Sequence, residues 1–148
     1  MNIWFPHVTV ATIVQKNSKF LLVLEESDGK KVYNQPAGHL EENESLLDAA
    51  IRETVEETAW RVKLQGYLGV SQYFAPSNSV TYIRHTFVAE PLYFDENVKR
   101  DADIIDTAWL TYDEILQCRG QHRSPLVMHD INRFVQNKAL SLDVVSYF

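Results

Sequence analysis

The sequence predicts an α/β protein (α+β in some schemes) with a mixed β-sheet flanked by helices. Three observations predict it. Strand-like runs rich in β-branched and aromatic residues stand before and after one central helical segment. Two further helical segments close the chain. A content of 45% hydrophobic and 11% aromatic residues in 148 supplies enough apolar surface for a packed core. A chain of this length is expected to form one domain, residues 1–148.

The elements follow in order. HVTVATIV (His7 to Val14) and KFLLVLEE (Lys19 to Glu26) read as strands, and QKNS between them as a hairpin turn. SDGKK marks a second turn at Asp28-Gly29. In VYNQPAGHL a short strand precedes Pro36 and Gly38, which force a loop. Asn43 to Thr58 reads as a helix. Two longer strand-like runs follow, RVKLQGYLGVSQYF and VTYIRHTFVAE, separated by the loop APSNS. DENVKRDADIID is polar and reads as a loop, and TAWL as a last short strand. TYDEILQC opens with a capping box, Thr111 with Glu114, and its helix should stop near Gly120. Ser124 as cap and Pro125 at the first helical position start a final helix expected to reach about Lys138.

A net charge of -6 matches poorly with a long nucleic-acid backbone, so no nucleic-acid polymer is expected as partner. It does not exclude a small phosphorylated ligand, because a divalent cation can reverse the local sign. Cys118 is the only cysteine, so no intramolecular disulfide forms, and the thiol is expected to be buried or half-buried without chemistry. MNIWFPHVTV has no basic region and no long apolar run. No stretch of about 18 apolar residues occurs. The expectation is a cytoplasmic protein that does not engage a membrane, as a monomer or homodimer.

RETVEET, Arg52 to Thr58, gathers Glu53, Glu56 and Glu57 in five positions. Like charges one helical turn apart destabilise a helix by a few tenths of a kcal/mol. At about 100° per residue, Leu46, Leu47, Ala50, Ile51, Thr54 and Val55 share a broad side that should face the core. The three glutamates share the adjoining side, and small Ala49 one turn earlier leaves space beside them. Arg52 is placed to pair with Glu56 or to orient a neighbour. A charge run is most often a solvated face. The alternative is a hard-cation site, since several carboxylates on one helix suit Mg²⁺ or Mn²⁺. Mg²⁺ keeps waters and bridges to phosphates, so such a cluster points to phosphate chemistry.

The surroundings decide between them. GHLEENESLLDAAIRETVEETAW resembles the Nudix box, G-x5-E-x7-R-E-U-x-E-E-x-G-U, with U a large aliphatic residue. Gly38, Glu44, Arg52, Glu53, Glu56 and Glu57 all match in spacing. Three positions depart. Thr54 replaces an aliphatic residue, and its methyl can still pack. Ala59 replaces the glycine after the helix, which costs on the order of 1 kcal/mol if the backbone there is left-handed. Trp60 replaces the final aliphatic residue and needs a larger pocket. PHVTVA, KFLLVLEE, NQPAGHLE and HRSPLV extend the resemblance to the NudJ-type Nudix phosphatases, over Pro6 to about Val127. The last twenty residues match nothing in that pattern.

The resemblance implies an α/β/α sandwich around a mixed sheet and Mg²⁺-dependent hydrolysis of phosphoanhydrides, with Mn²⁺ able to substitute. It implies nucleoside tri- and diphosphates as substrates, releasing inorganic phosphate, together with the thiamine precursor hydroxymethylpyrimidine diphosphate. Glu53, Glu56, Glu57 and the Gly38 carbonyl would hold metal, Glu53 or Glu57 would take a proton, Arg52 would orient Glu53, and Glu44 would brace the loop. Arg84 in TYIRHTF and Arg123 in HRSPLV are candidates for substrate contact, against a surface charge and a loop residue respectively. Tyr33 and Tyr73 could stack on a base, although strand aromatics are more often core. His39 falls at a free position of the box and is expected to be structural or exposed. Asp101, Asp103 and Asp106 could supply one more metal ligand, though a solvated acidic loop is the commoner outcome. Two other functions compete. One is a Nudix pyrophosphatase on oxidised nucleotides, dinucleoside polyphosphates or nucleotide sugars. The other is a non-enzymatic Nudix-fold sensor, which would have no need of three intact glutamates.

Overall fold

The computed structural model describes Met1–Phe148. Its strands are β1 (His7–Lys16), β2 (Lys19–Ser27), β3 (Lys30–Asn34), β4 (Ala37–His39), β5 (Trp60–Ala75), β6 (Val80–Phe94) and β7 (Ile104–Thr111). The α-helices are α1 (Leu46–Thr58), α2 (Tyr112–Gln117) and α3 (Leu126–Val135). The seven strands form a mixed sheet with the path β3-β2-β1-β6-β5, to which β4 adds on β1 and β7 on β2. Only β1 and β6 run parallel, from His7↔Tyr82 to Val14↔Ala89. Two tight turns come from residues that tolerate positive φ, Asn17-Ser18 and Asp28-Gly29.

Strand alternation sends side chains to two cores. Val10, Val14, Leu21, Phe87 and Ala89 face one side with Ala49 and Ala50 of α1. Ile13, Phe20, Leu22 and Val88 face the other, with Ile115 of α2 and Val127, Met128 and Ile131 of α3. The sheet therefore lies between α1 and the α2/α3 pair, the expected α/β/α sandwich. Each fully buried large apolar side chain contributes about 1.5–3 kcal/mol. Register shifts between Leu64/Gly66 and Tyr67/Gly69 let Leu64 join the first core and Leu68 the second, although both numbers are even.

Several expectations need correction. Ala37–His39 is not a loop: it is a strand whose residues pair with Thr9 to Ala11 of β1. The central helix begins at Leu46, capped by Ser45, whose hydroxyl accepts the Asp48 N–H at 3.1 Å. Its buried face is Ala49, Ala50, Thr54, Val55, Glu57 and Thr58, while Leu46, Leu47 and Ile51 pack at the edge. Thr54 does more than pack a methyl: its hydroxyl donates to Ala50 O at 2.7 Å and lies 3.0 Å from the Thr12 hydroxyl on β1. β7 begins earlier than TAWL, and α3 stops at Val135, short of Lys138. The capping box of α2 is complete, while α3 starts one residue later than expected, at Leu126 with Pro125 in the cap position, and Ser124 Oγ accepts the Leu126 N–H at 3.2 Å. The C-terminal segment is bonded to β5 through Tyr67 N–H to Leu140 O (2.8 Å) and the reverse bond (2.7 Å), and Leu142 and Val145 pack on the first core. Cys118 is half-buried, its thiol donating to Ile115 O at 3.4 Å. No helix is long and apolar enough to cross a membrane.

Candidate active site

The site forms where β4, α1 and the loop after β6 meet. Gly38 on β4 sits against the Glu53 side chain so closely that any Cβ there would run into the carboxyl group. A side chain at this position would displace the Glu53 carboxylate from its place beside Arg52. Ala37 N–H donates to Glu57 Oε1 at 2.7 Å, so β4 also fixes the second glutamate.

Arg52 organises the carboxylates. Its Nε donates to Glu44 Oε2 at 2.6 Å and its Nη2 to Glu44 Oε1 at 3.0 Å. Its Nη1 reaches Glu53 Oε1 at 2.8 Å and Glu56 Oε2 at 3.2 Å. Nη2 also holds the His39 carbonyl at 3.0 Å, tying β4 to the helix. Arg52 thereby holds the Glu44 carboxyl below its ordinary range. Burial raises Glu53, against the pull of Arg52. Glu57, 8% exposed, is pushed up to about 8 by burial, with Glu25, Glu53 and Asp101 adding repulsion. A nearby cation would reverse this effect.

Carboxylate oxygens of Glu53, Glu56 and Asp101 all lie within 4.8 Å of one another. Oxygens at opposite corners around a Mg²⁺ ion, each about 2.1 Å from it, are about 4.2 Å apart. The donor set therefore fits a hard divalent cation. Asp101 lies exposed in a loop, and its backbone N–H donates to Glu56 O at 2.9 Å, which brings the loop onto α1. Glu57 stands beside this trio, not within it.

A cavity of about 230 Å³ opens next to Gly38, with His39, Tyr73, Tyr82, Arg84 and Arg123 among its walls. Arg84 is no surface charge: it is 5% exposed. Its Nη2 binds Gln35 Oε1 at 2.6 Å and Asp130 at 3.2 Å, and its Nη1 binds Asn34 Oδ1 at 3.3 Å. Both terminal nitrogens are thus committed to the protein. Arg123 Nη1 pairs with Glu25 Oε1 at 2.7 Å on the cavity wall. Tyr33 lies outside these walls: its ring packs against the second core, and its carbonyl accepts the Arg123 N–H at 2.9 Å. Tyr73, from the same reasoning, does line the cavity, and so does His39, which is exposed. Glu25 and Asn34 were missed, because nothing in KFLLVLEE or VYN separates a cavity wall from an ordinary strand.

Residues 5–130 match the NUDIX domain. The chain belongs to the Nudix family. It is 38% identical over 143 residues to Phosphatase NudJ of Escherichia coli K12, covering 97% of this chain and 92% of that one. Phosphatase NudJ of Shigella flexneri matches to the same extent, at 38% identity. The solved NUDIX hydrolase from Nitrosomonas europaea superposes with a TM-score of 0.94 at 39% identity, covering 97% of this chain and 98% of that one. The MutT NUDIX hydrolase from Burkholderia pseudomallei, at 15% identity and TM-score 0.74, covers 88% of this chain and 98% of that one and shares the fold. As a Nudix hydrolase the chain acts on phosphorus-containing anhydrides.

Proposed function

We propose that this Nudix hydrolase is a Mg²⁺-dependent phosphatase of nucleoside tri- and diphosphates and of hydroxymethylpyrimidine diphosphate, releasing inorganic phosphate. The observation that carries the reading is the convergence of the Glu53, Glu56 and Asp101 carboxylates within 4.8 Å, beside a cavity that shares Gly38 with them. The similarity to Phosphatase NudJ supports the phosphatase outcome.

Glu53, Glu56 and Asp101 would hold the cation, with Glu57 and the Gly38 carbonyl completing its surroundings. Bound Mg²⁺, with Mn²⁺ as a substitute, supplies charge neutralisation on phosphate oxygens and makes water more acidic. A carboxylate oxygen of Glu53 or Glu57 takes the proton of the attacking water as the water approaches phosphorus in line with the leaving oxygen. Arg52 leaves Glu53 one fixed orientation by holding Oε1, and Glu44 holds Arg52 in turn. Arg123 and Ser124 on the cavity wall bind the rest of the substrate. Arg84 shapes that wall from behind, with its terminal nitrogens held by Gln35, Asp130 and Asn34 and its buried Nε–H unpartnered.

The test is phosphorus NMR of the products. The protein is incubated with Mg²⁺ and, separately, a nucleoside triphosphate, a nucleoside diphosphate and hydroxymethylpyrimidine diphosphate, with Glu57→Gln protein as blank. Inorganic phosphate from several of them, absent in the blank, is the expected result. Pyrophosphate would move the activity to a Nudix pyrophosphatase, and no turnover of any of the three would overturn the proposed substrate class.

A further inference from the structure

We propose that His7 and His39 form a second cation site, separate from the acidic one, which takes a late first-row divalent ion such as Zn²⁺ at the mouth of the cleft. The two residues come from neighbouring antiparallel strands, β1 and β4, held in register by Thr9↔His39. Their rings meet at His7 Nδ1 and His39 Nε2, 3.0 Å apart, and both residues are exposed. Zn–N bonds are about 2.0–2.1 Å, so two of them at the tetrahedral angle separate their nitrogens by about 3.4 Å, a few tenths of an ångström more than the contact seen here. The strand pair thus presents two imidazole nitrogens near chelating separation, and a small rotation of the two exposed rings aims both at one ion.

Imidazole selects Zn²⁺, Ni²⁺ or Cu²⁺ over Mg²⁺, which prefers oxygen. The existing contact uses a proton on one of the two facing nitrogens. That proton moves to the other nitrogen of the same ring when the ion binds, leaving a lone pair on each facing atom and both rings neutral. Two protein ligands leave positions for water on the open side. Tyr82 flanks both rings, at centroid distances of 5.7 and 6.2 Å, and closes one side.

The site is placed to affect turnover. His39 lines the cavity, follows Gly38, and its carbonyl is held by Arg52 Nη2 at 3.0 Å. An ion on the His39 ring is therefore fastened to the strand that frames the acidic site. Occupancy by Zn²⁺ in Mg²⁺-saturated enzyme is expected to inhibit.

The experiment is calorimetric titration of Zn²⁺ into tag-free protein at saturating Mg²⁺, for wild type, His7→Ala and Glu57→Gln. Electron paramagnetic resonance of the Cu²⁺-loaded proteins counts the nitrogen ligands. The expected result is one Zn²⁺ equivalent on the wild type, at least a tenfold weaker affinity in His7→Ala, unchanged affinity in Glu57→Gln, and a two-nitrogen Cu²⁺ signal lost in His7→Ala. Zn²⁺ binding that survives His7→Ala but falls in Glu57→Gln would place the ion at the acidic cluster and overturn the proposal, leaving the phosphatase reading intact. Absence of Zn²⁺ binding to the wild type overturns it as well. His7 is exposed, so circular dichroism of His7→Ala should match the wild type and exclude misfolding as the cause.

Discussion

Arg52 grips Glu44 with two prongs, Nε to Oε2 at 2.6 Å and Nη2 to Oε1 at 3.0 Å, while Nη1 reaches Glu53 Oε1 at 2.8 Å. One guanidinium thus fastens the loop before α1 to a proposed metal ligand. Glu44→Gln keeps the shape and removes the charge-assisted pairing. It should lower kcat roughly tenfold or more with little change in KM, the usual cost of losing a group that orients a ligand. The stability loss should stay below about 1 kcal/mol, because the pair is near solvent. Arg52 holds the Glu44 carboxyl below the ordinary 4.5. Its contribution is therefore present above that value and lost as pH falls beneath it. The gap in melting temperature between wild type and variant should narrow as pH falls below 4.5. An unchanged kcat would remove Glu44 from the positioning chain.

Glu57 has the opposite sign. Burial first, then its acidic neighbours, raise its carboxyl from 4.5 to about 8. A raised carboxyl binds its proton more tightly in the folded state. The stability it contributes is fully present below 4.5 and is lost as pH rises through about 8. Cation-free protein should therefore melt lower at pH 9 than at pH 5. Glu57→Gln retains an acceptor for the Ala37 N–H and has no charge to bury. It should be more stable than wild type at pH 9, on the order of 2 kcal/mol, and similar at pH 5. Turnover should fall at least about a hundredfold. Melting curves in chelator across that range check the first claim, and parallel pH profiles for the two proteins would contradict it.

Ala59 carries a cost visible in the backbone. It sits at φ 62°, ψ 11°, with its N–H bonded to Val55 O at 2.8 Å, so the helix ends in the left-handed turn that glycine favours. The methyl group in this conformation costs roughly 1–2 kcal/mol. Glycine's greater freedom in the unfolded chain offsets roughly 0.5–1 kcal/mol of that. Ala59→Gly should gain about 0.5–1 kcal/mol, which raises the melting temperature by about 2–3 °C. Scanning calorimetry decides, and a lower melting temperature would mean that the buried methyl is worth more than the strain.

How much of this was legible in the sequence depends on the range of the cause. Local chemistry was readable: the Asp28-Gly29 turn, the Thr111–Glu114 box and the β-branched run of β1 all follow from neighbours in the chain. The spacing of Gly38, Glu44, Arg52 and the glutamates was readable too, because one helix and the strand before it carry them. Long-range pairing was not. Ala37–His39 is a strand only because β1 lies beside it. The wheel placed Thr54 inward without revealing that Thr12 waits there with a hydroxyl. Tyr33 and Tyr73 look alike in sequence, and only the path of the sheet turns one ring into a core and the other into a cavity wall.

Asp101 is the sharpest case, since spacing alone cannot distinguish it from Asp103 and Asp106. Its backbone N–H reaches Glu56 O at 2.9 Å, which carries its carboxylate to within 4.8 Å of those of Glu53 and Glu56. Asp106 turns elsewhere, accepting its neighbour Thr107 N–H at 2.8 Å and pairing with Arg100 at 3.6 Å. If Asp101 shares the cation, Asp101→Asn should raise the Mg²⁺ concentration for half-maximal activity about tenfold, the order seen when a metal site loses supporting charge. Saturating Mg²⁺ should restore most of kcat, because Glu53, Glu56 and Glu57 remain. Asp101 is exposed, so stability should change by less than about 0.5 kcal/mol. Asp103→Asn and Asp106→Asn should leave the Mg²⁺ dependence at the wild-type value. Activity titrations with Mg²⁺, paired with Mn²⁺ binding followed by electron paramagnetic resonance, separate the three aspartates. Equal behaviour of all three would reduce Asp101 to one more charge on a solvated loop.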